Sequence, residues 1–178
     1  MSMIEEKTMG HQNRKYDIVA YDPAWAEMFV REAARLAVVF GKRALPFEHV
    51  GSTSVFGMSG KPTIDILIFV ESIEGLRVAV DAEMAKMGYD SLGEYVKVDA
   101  LLFAKEKDNA RVINVHVMPK DHPEAENMIV FRDYLRSHPD DAAEYSKVKL
   151  ELFRKYPDNY FSYRSEKDAY LKVLKAKL

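Results

Sequence analysis

The chain of 178 residues contains no cysteine, which excludes disulfide bonds, zinc–thiolate sites and thiol catalysis. Its apolar runs are short, and none approaches the ~18 residues that a membrane-spanning helix would need. The GxxxxGK pattern of a P-loop is also missing. A chain without cysteine suits a reducing compartment, so we expect a cytoplasmic protein with no membrane partner.

The chain also lacks a large excess of charge of either sign, since 26 Lys and Arg oppose 28 Asp and Glu for a formal net charge of −2. This balance supplies no overall attraction to nucleic acid, which is therefore not an expected partner. The length fits one domain. The polar start of the chain lacks the apolar core of a secretory signal. We predict a loose N-terminal segment over residues 1–15 and a single domain over residues 16–178.

One stretch stands out against this ordinary background, residues 48–70, which read EHVGSTSVFGMSGKPTIDILIFV. Within it, a Gly/Ser loop (residues 51–62) precedes an apolar, β-branched run (residues 63–70) with one carboxylate, Asp65. A charge inside a buried strand is costly unless something pairs with it. A loop of small residues can bring backbone N–H groups close to an anion. The stretch therefore predicts a phosphate-and-metal site.

The hydrophobic patterns predict an α+β domain, with strands and helices interleaved first and helices only after Pro119. Predicted strands cover residues 16–21, 44–50, 63–70, 89–98, 101–104 and 111–118. The first predicted helix follows Asp22-Pro23 and places on one face Trp25, Phe29, Ala33, Leu36 and Phe40. Later helices are predicted over residues 73–87 and 123–137. Another begins at Pro139, and the last runs from residue 160 to the end of the chain. We expect the helix after Pro139 to bury Tyr145, Val148, Leu152 and Phe153.

The Gly/Ser loop and Asp65 have roles that their chemistry suggests. Gly51 allows a tight turn, and phosphate oxygens could be held by Ser52 and by the groups that follow it, Thr53 and Ser54. Asp65 could bind a divalent cation that also touches those phosphates. This suits phosphoryl or nucleotidyl transfer, where positioning and charge neutralisation supply most of the catalysis. An ordinary turn with a hydrogen-bonded structural aspartate fits the same residues.

Further candidates lie outside that stretch. Asn114 and His116 share one face of a later strand, so His116 could be a metal ligand, a proton carrier or a hydrogen-bond partner of a substrate. Substrate phosphate could also be contacted by three basic residues, Lys61, Arg132 and Lys167. Each has a structural alternative, because solvated lysines and helical ion pairs are common. Glu48 and His49 are further possible ligands or core hydrogen-bonding groups.

The stretch EHVGSTSVFGMSGKPTIDI resembles the GrpB family of the polymerase-β-like nucleotidyltransferase superfamily. Supporting segments across residues 17–175 read YDPAW, HVMP, FRDYLRSHP and YRSEKDAYL. The resemblance implies a nucleotidyltransferase-like mixed sheet flanked by helices, with a C-terminal helical part. It places Gly51 and Ser52 in the family's GS loop and Asp65 at its first acidic position. It also implies Mg²⁺ or Mn²⁺ and a nucleotide, coenzyme or other phosphate-bearing ligand, since a related domain is fused to dephospho-CoA kinase in some bacteria.

The chain departs from the superfamily's acidic pattern. Leu67 occupies the position of a second carboxylate, and the candidates for a third are Asn114 and His116. One aspartate makes a poor site for two cations. Three hypotheses follow: a nucleotidyl or phosphoryl transferase that uses Asp65 and His116 with one metal, a noncatalytic phosphate-binding module, or a protein-interaction domain that keeps only the fold.

Overall fold

The computed structural model describes residues 15–94 and 99–178. Its strands and helices, in chain order, are α1 Ala24–Phe40, β1 Ala44–Val50, β2 Ile64–Val70, α2 Leu76–Lys86, β3 Asp90–Gly93, β4 Leu101–Lys107, β5 Ala110–Pro119, α3 Pro123–Ser137, α4 Pro139–Lys155 and α5 Tyr160–Lys175. The predicted α+β order and the purely helical C-terminal part are confirmed. Among the helices of the described residues, none is both long and apolar enough to cross a membrane.

The five strands form one mixed sheet in the order β1-β2-β5-β4-β3. β2 and β5 run parallel in its centre, and every other pair is antiparallel. β4 and β5 form a hairpin, which turns at Asp108 and Asn109, both with positive φ. The parallel pair sets Asp65 opposite Asn114 and Leu67 opposite His116. Because paired residues point to the same side of a sheet, these four side chains share one face.

The two faces of the sheet have different coverings. One face is apolar and packs on α1 and α2, through a core that includes Leu36, Phe40, Ile64, Ile66, Ile68, Val80, Met84, Phe103, Val115 and Val117. The other face carries Asp65, Asn114 and His116. Next to these polar residues, α3 covers part of the same face, where its Ala125 packs with the buried residues Val50, Leu67 and Met118. The alternation of strand side chains therefore separates the core from the polar residues.

The predicted strand over residues 16–21 is wrong. Only two isolated bridges occur there, Lys15 to Ala110 and Val19 to Gly60. Val19 and Gly60 exchange two backbone hydrogen bonds of 3.0 Å, so the segment is tied to the Gly/Ser loop rather than paired into a strand ladder. Of the strand predicted over residues 89–98, the structure shows Asp90–Gly93, and residues 95–98 lie outside the described residues. The predicted loose segment over residues 1–15 also falls outside them, except for Lys15.

Two helices differ from their predictions. α2 begins three residues late, because the Ser72 hydroxyl accepts the Glu74 N–H in a turn and Gly75 takes a left-handed conformation. α4 is rotated about its axis relative to the predicted face. It buries Ala142, Tyr145, Ser146 and Lys149, whereas Val148, Leu152 and Phe153 are half-buried. The rotation follows from packing, since α4 lies between α5 and the Gly/Ser loop.

A buried carboxylate joins α1 to the sheet. Glu32 accepts hydrogen bonds from the Tyr89 hydroxyl at 2.7 Å, the Lys105 ammonium at 3.1 Å and the Arg35 guanidinium at 2.7 Å. Burial alone would raise the pKa of Glu32, but these hydrogen bonds and the Lys105 charge lower it below its usual value. Glu32 therefore stabilises the fold as a carboxylate.

We expect Glu32→Ala to lower the free energy of unfolding by about 3 kcal/mol, because Tyr89 and Lys105 lose a shared acceptor inside the protein. Glu27→Ala, at an exposed position of the same helix, should cost less than about 0.5 kcal/mol. Urea denaturation at neutral pH measures both. The contribution of Glu32 is present above its unfolded pKa and should disappear as the pH falls below it. Equal losses in the two variants would contradict this role.

Candidate functional site

The site begins where the Gly/Ser loop leaves β1. Val50 pairs with Asp65 across the β1–β2 ladder, so the next residue, Gly51, passes directly over the Asp65 carboxylate. A Cβ atom at position 51 would lie 2.5 Å from Asp65 Oδ2, and the φ angle there is +74°. Both facts require glycine. The loop then makes one 3₁₀ turn, Ser52–Ser54.

Asp65 is the centre of a row of polar side chains on the sheet. Its Oδ1 accepts a 2.7 Å hydrogen bond from Asn114 Nδ2 and lies 3.5 Å from His116 Nε2. Arg111 Nη1 donates to Asn114 Oδ1 at 3.3 Å, and Arg111 Nη2 donates to Glu106 at 3.4 Å. The sequence predicted that Asn114 and His116 share one strand face, and the structure brings both next to Asp65.

The charge of Asp65 is stabilised in place. Burial by itself would raise its pKa, but the hydrogen bonds and charge of His116, the Asn114 amide and the positive charge of Lys61 together lower the pKa below its usual value. The side chain is still 24% exposed, so a ligand can reach it. Asp65 is therefore an accessible carboxylate at neutral pH.

The hydroxyls of Thr53 and Ser54 maintain the shape of the Gly/Ser loop. Thr53 Oγ1 donates to the Thr63 carbonyl and lies 3.0 Å from His49 Nε2, and Ser54 Oγ donates to the Gly51 carbonyl. His49 lies on the opposite face of the sheet from Asp65 and stacks on an α1 side chain. Burial lowers its pKa to about 4, so its imidazole is neutral. These hydrogen bonds support the loop, and phosphate binding by Thr53 and Ser54 stays a prediction.

Lys149 of α4 is the functional candidate that the sequence analysis missed. Its ammonium is buried, donates to Ser52 Oγ at 2.9 Å and to the Ser59 carbonyl, and lies over the Tyr145 ring. Burial lowers the pKa of Lys149 to about 7, and the charges of Lys167 and Lys61 add to this effect. Its position four residues after Tyr145, on the buried face of α4, was a signal available in the sequence.

Two predicted lysines complete a lysine cluster, which consists of Lys61, Lys149 and Lys167. Lys61 donates to the Tyr160 hydroxyl at 2.7 Å, and its charge acts on both Asp65 and Lys149. Lys167 pairs with Asp168 at 2.8 Å. Three elements distant in sequence, the Gly/Ser loop, α4 and α5, therefore bring positive charge to one place.

Comparison with known proteins identifies the family. The protein-family model described as GrpB protein matches residues 15–177 of this chain. The chain belongs to the GrpB family. It is 39% identical over 163 residues to UPF0157 protein YqkA of Bacillus subtilis (strain 168), covering 92% of this chain and 47% of that protein, so the chain spans about half the length of this relative.

A solved GrpB structure confirms the fold. The crystal structure of conserved protein GrpB from Enterococcus faecalis has a TM-score of 0.84 and 32% identity, over 90% of this chain and 96% of that one. Dephospho-CoA kinase of Mycobacterium bovis is a more distant relative, 28% identical over 175 residues, 85% of this chain and 43% of that protein. The predicted family is confirmed, and membership of the nucleotidyltransferase superfamily stays a prediction.

Arg132 of this GrpB chain has protein partners for its charge, and its predicted contact with phosphate stays a prediction. Its guanidinium donates to Glu48, to the His49 carbonyl at 3.1 Å and to Asp133. These hydrogen bonds keep the pKa of Arg132 raised despite its burial. Arg132 therefore fastens α3 to β1, and its partner Glu48 is engaged in the same contact.

The residues around Asp65 do not fit a pair of divalent cations. Within the described part of the chain, no group of three or more His, Asp or Glu side chains could hold a metal ion. The Oδ1 atom of Asp65 already accepts the Asn114 amide. Leu67, at the position of the second carboxylate, is fully buried beside Val50 and Met118. The predicted roles of Asp65 and His116 as metal ligands, and of Mg²⁺ or Mn²⁺, stay predictions.

We expect Gly51→Ala to destabilise the protein by about 2–4 kcal/mol, because it adds a collision with Asp65 to an unfavourable positive φ. Gly57→Ala is the matched control, since Gly57 has a φ of +75° but nothing within 4 Å of its added Cβ. It should cost only about 1 kcal/mol. Urea unfolding of both variants tests the difference, and equal costs would show that Asp65 does not restrict position 51.

Proposed function

We propose that this GrpB-family chain binds a phosphate-bearing small molecule beside the Gly/Ser loop. The lysine cluster carries the proposal, because its central member is a buried cation next to Ser52. Burying an ammonium costs free energy that packing alone does not return. The arrangement is explained if a bound anion offsets that charge.

The surroundings of Lys149 support an anionic ligand. Within residues 15–94 and 99–178, no carboxylate lies within ion-pair distance of its ammonium, and its hydrogen-bond acceptors are a neutral hydroxyl and a carbonyl. The neighbouring charges that act on it are positive. Buried charges are normally paired. A phosphate group at Ser52 and Lys61 would supply the opposite charge at short range.

The Asp65 row supplies a second set of polar contacts. Asp65 is an acceptor, and the His116 imidazole can donate or accept according to its tautomer. Such groups suit the hydroxyls of a sugar phosphate, a nucleotide or a coenzyme. The dephospho-CoA kinase relative, which is named for a coenzyme, agrees with this class of ligand.

Binding is favoured over metal-dependent transfer because, among the described residues, no group of three or more His, Asp or Glu side chains could hold even one metal ion, and a single carboxylate is a poor site for two. A transferase that uses Asp65 and His116 is the alternative, and it requires that bound nucleotide be consumed. We infer that the chain binds its ligand without a divalent cation.

Lys149→Met tests the central claim. The expected result is at least a tenfold weaker affinity for inorganic phosphate, pyrophosphate or nucleotides, which is about 1.4 kcal/mol. The folded protein should become no less stable, since the variant removes a buried charge and keeps the side-chain volume. Lys147→Met, at an exposed lysine of the same helix, is the control and should leave the affinity unchanged. Isothermal titration calorimetry with and without EDTA measures both.

The outcomes separate the hypotheses. A phosphate affinity that is unchanged by EDTA, and that falls in Lys149→Met but not in Lys147→Met, supports the binding module. Binding that needs Mg²⁺ or Mn²⁺, disappears in Asp65→Ala and is accompanied by turnover of nucleotide supports a transferase. The absence of binding or thermal shift with any phosphate ligand would reject the proposal in favour of a protein-interaction domain.

Anion affinity should depend on pH. The pKa of Lys149 is about 7, so its ammonium loses a proton as the pH rises through that value. A bound anion raises this pKa, and binding therefore takes up a proton. Sulfate, whose charge stays constant, should bind about threefold to tenfold more weakly at pH 9 than at pH 6.

Lys149→Met should remove that pH dependence while Lys147→Met keeps it. The stability of the wild type should change in the opposite direction. Since the folded pKa of Lys149 lies below its unfolded value, the unfolded chain binds more protons between these values, and stability rises with pH there. Sulfate affinity that is the same at both pH values would contradict a role for the Lys149 charge.

A further inference from the structure

A cleft of about 760 Å³ has Lys61 in its lining, whereas the buried Lys149 does not line it. It is enclosed by the segment at residues 15–17, the starts of β2 and β5, the end of α4 and the turn at residues 157–158. Its volume falls in the range of about 300–1,000 Å³ that is typical of small-molecule sites. The roles described above for the Asp65 row and the lysine cluster assign no ligand to this cleft.

The walls of the cleft are mostly apolar and aromatic. Tyr16, Phe153, Pro62 and Pro157 line it. The Tyr16 ring packs edge-on against Phe153 at a centroid distance of 5.2 Å. The same ring contacts two further tyrosines of α5 at 5.1 and 4.9 Å, and its hydroxyl donates to the Tyr156 carbonyl. The aromatic wall is thus fixed in place before any ligand arrives.

Two cationic side chains connect the cleft to the proposed phosphate site. Lys61 lines the cleft, and its charge acts on both Asp65 and Lys149. Arg111 also lines it and donates to Asn114, the hydrogen-bond partner of Asp65. Thr63 fixes the floor between them by donating to the Arg111 carbonyl at 2.9 Å. A molecule in the cleft would therefore have an anionic end next to these two cations.

The remaining charges of the cleft restrict the other end of the molecule. They are Lys15, Asp17 and Asp158, so the two carboxylates outnumber the one further cation, and the Asp158 charge acts on Tyr16. Carboxylates beside the aromatic wall repel negative charge, so they disfavour a second anionic group at that end of the ligand. A neutral or cationic ring fits between the Tyr16 and Phe153 rings and the two prolines, because flat rings bury much area and stack on such surfaces.

We propose that this cleft binds a neutral or cationic aromatic ring that belongs to the same ligand as the phosphate, with the phosphate at the site of Ser52 and Lys149, on the side of the cleft where Lys61 and Arg111 lie. The inference rests on the proposed function and narrows it, because the ligand becomes an aromatic phosphate ester rather than any phosphate. A nucleobase and a simpler aromatic ring share this chemistry.

The test compares inorganic phosphate with phenyl phosphate by isothermal titration calorimetry on the full chain. The wild type should bind phenyl phosphate at least tenfold more tightly, since the ring gains contact with the cleft. Ala110→Phe places a ring in the cleft from the start of β5 and should abolish this gain while leaving the affinity for inorganic phosphate unchanged. Ala37→Phe, at an exposed position of α1, adds the same bulk elsewhere and should preserve the gain.

A second variant protects the test against misfolding of Ala110→Phe, which circular dichroism detects. Asp158→Asn removes an exposed charge at the cleft and should tighten phenyl phosphate by about twofold to fivefold. A parallel comparison of adenosine 5′-monophosphate with ribose 5-phosphate identifies the ring. A gain for the adenosine compound that Ala110→Phe abolishes assigns the cleft to a nucleobase, and a gain for phenyl phosphate alone assigns it to a smaller ring.

Failure of the inference differs from failure of the proposed function. Equal affinities for phenyl phosphate and inorganic phosphate, or a gain that persists in Ala110→Phe, would overturn the cleft assignment while phosphate binding stands. Tight phenyl phosphate binding that Ala110→Phe abolishes, without measurable inorganic phosphate binding, would support the cleft and overturn the phosphate site. Absence of binding for both compounds would overturn both.

Discussion

The contact between Gly51 and the Asp65 carboxylate determines where everything else in the site can lie. A strand that carries a charge needs partners for it, and here they come from Asn114 and His116 on the neighbouring parallel strand. The Gly/Ser loop can cross over that carboxylate only because position 51 has no side chain. From that crossing the loop places Ser52 against α4 and its later part against the segment at residues 15–19.

The C-terminal helices give the polar face of the sheet its positive charge. α4 turns Lys149 inward, and α5 contributes Lys167 and Tyr160 beside Lys61. A buried ammonium with neutral acceptors stabilises a fold poorly. Its retention beside the loop is better explained by ligand binding than by stability. Arg132 offers a contrast, because its charge is met by Glu48 and Asp133 and it works as a structural fastening.

The single carboxylate of the site is a consequence of packing as well as of sequence. Leu67 points to the same face as Asp65, yet it is fully buried and contributes to the small core beneath α3. A carboxylate at that position would be placed among apolar side chains, which is costly. Leu67 therefore belongs to the interior of the fold and not to the site. This arrangement favours phosphate binding through cations of the chain over chemistry through paired metal ions.

Much of this could be predicted from the sequence, because its signals are local. Alternating β-branched residues marked β2 and β5, Pro123 and Pro139 marked the starts of α3 and α4, and the small residues before Asp65 marked the loop. The motif also identified the family correctly. The strand predicted at residues 16–21 failed because an apolar pattern does not reveal whether a partner strand is in reach. Lys149 was missed although it follows Tyr145 by four residues, because that spacing does not show that a lysine ammonium is buried.

The sequence by itself thus determined the α+β architecture, the family and the shared strand face of Asn114 and His116, since these follow from motif and periodicity, whereas the pairing of β2 with β5 placed them beside Asp65. Tertiary structure alone decided which lysines meet at the loop, that Glu48 and Asp133 pair with Arg132, and that a cleft opens beside Lys61. Those features depend on the rotation and docking of helices about 100 residues away in the chain, as the contact between Lys149 and Ser52 shows across a separation of 97 residues. Side-chain packing sets such docking, and no local pattern encodes it.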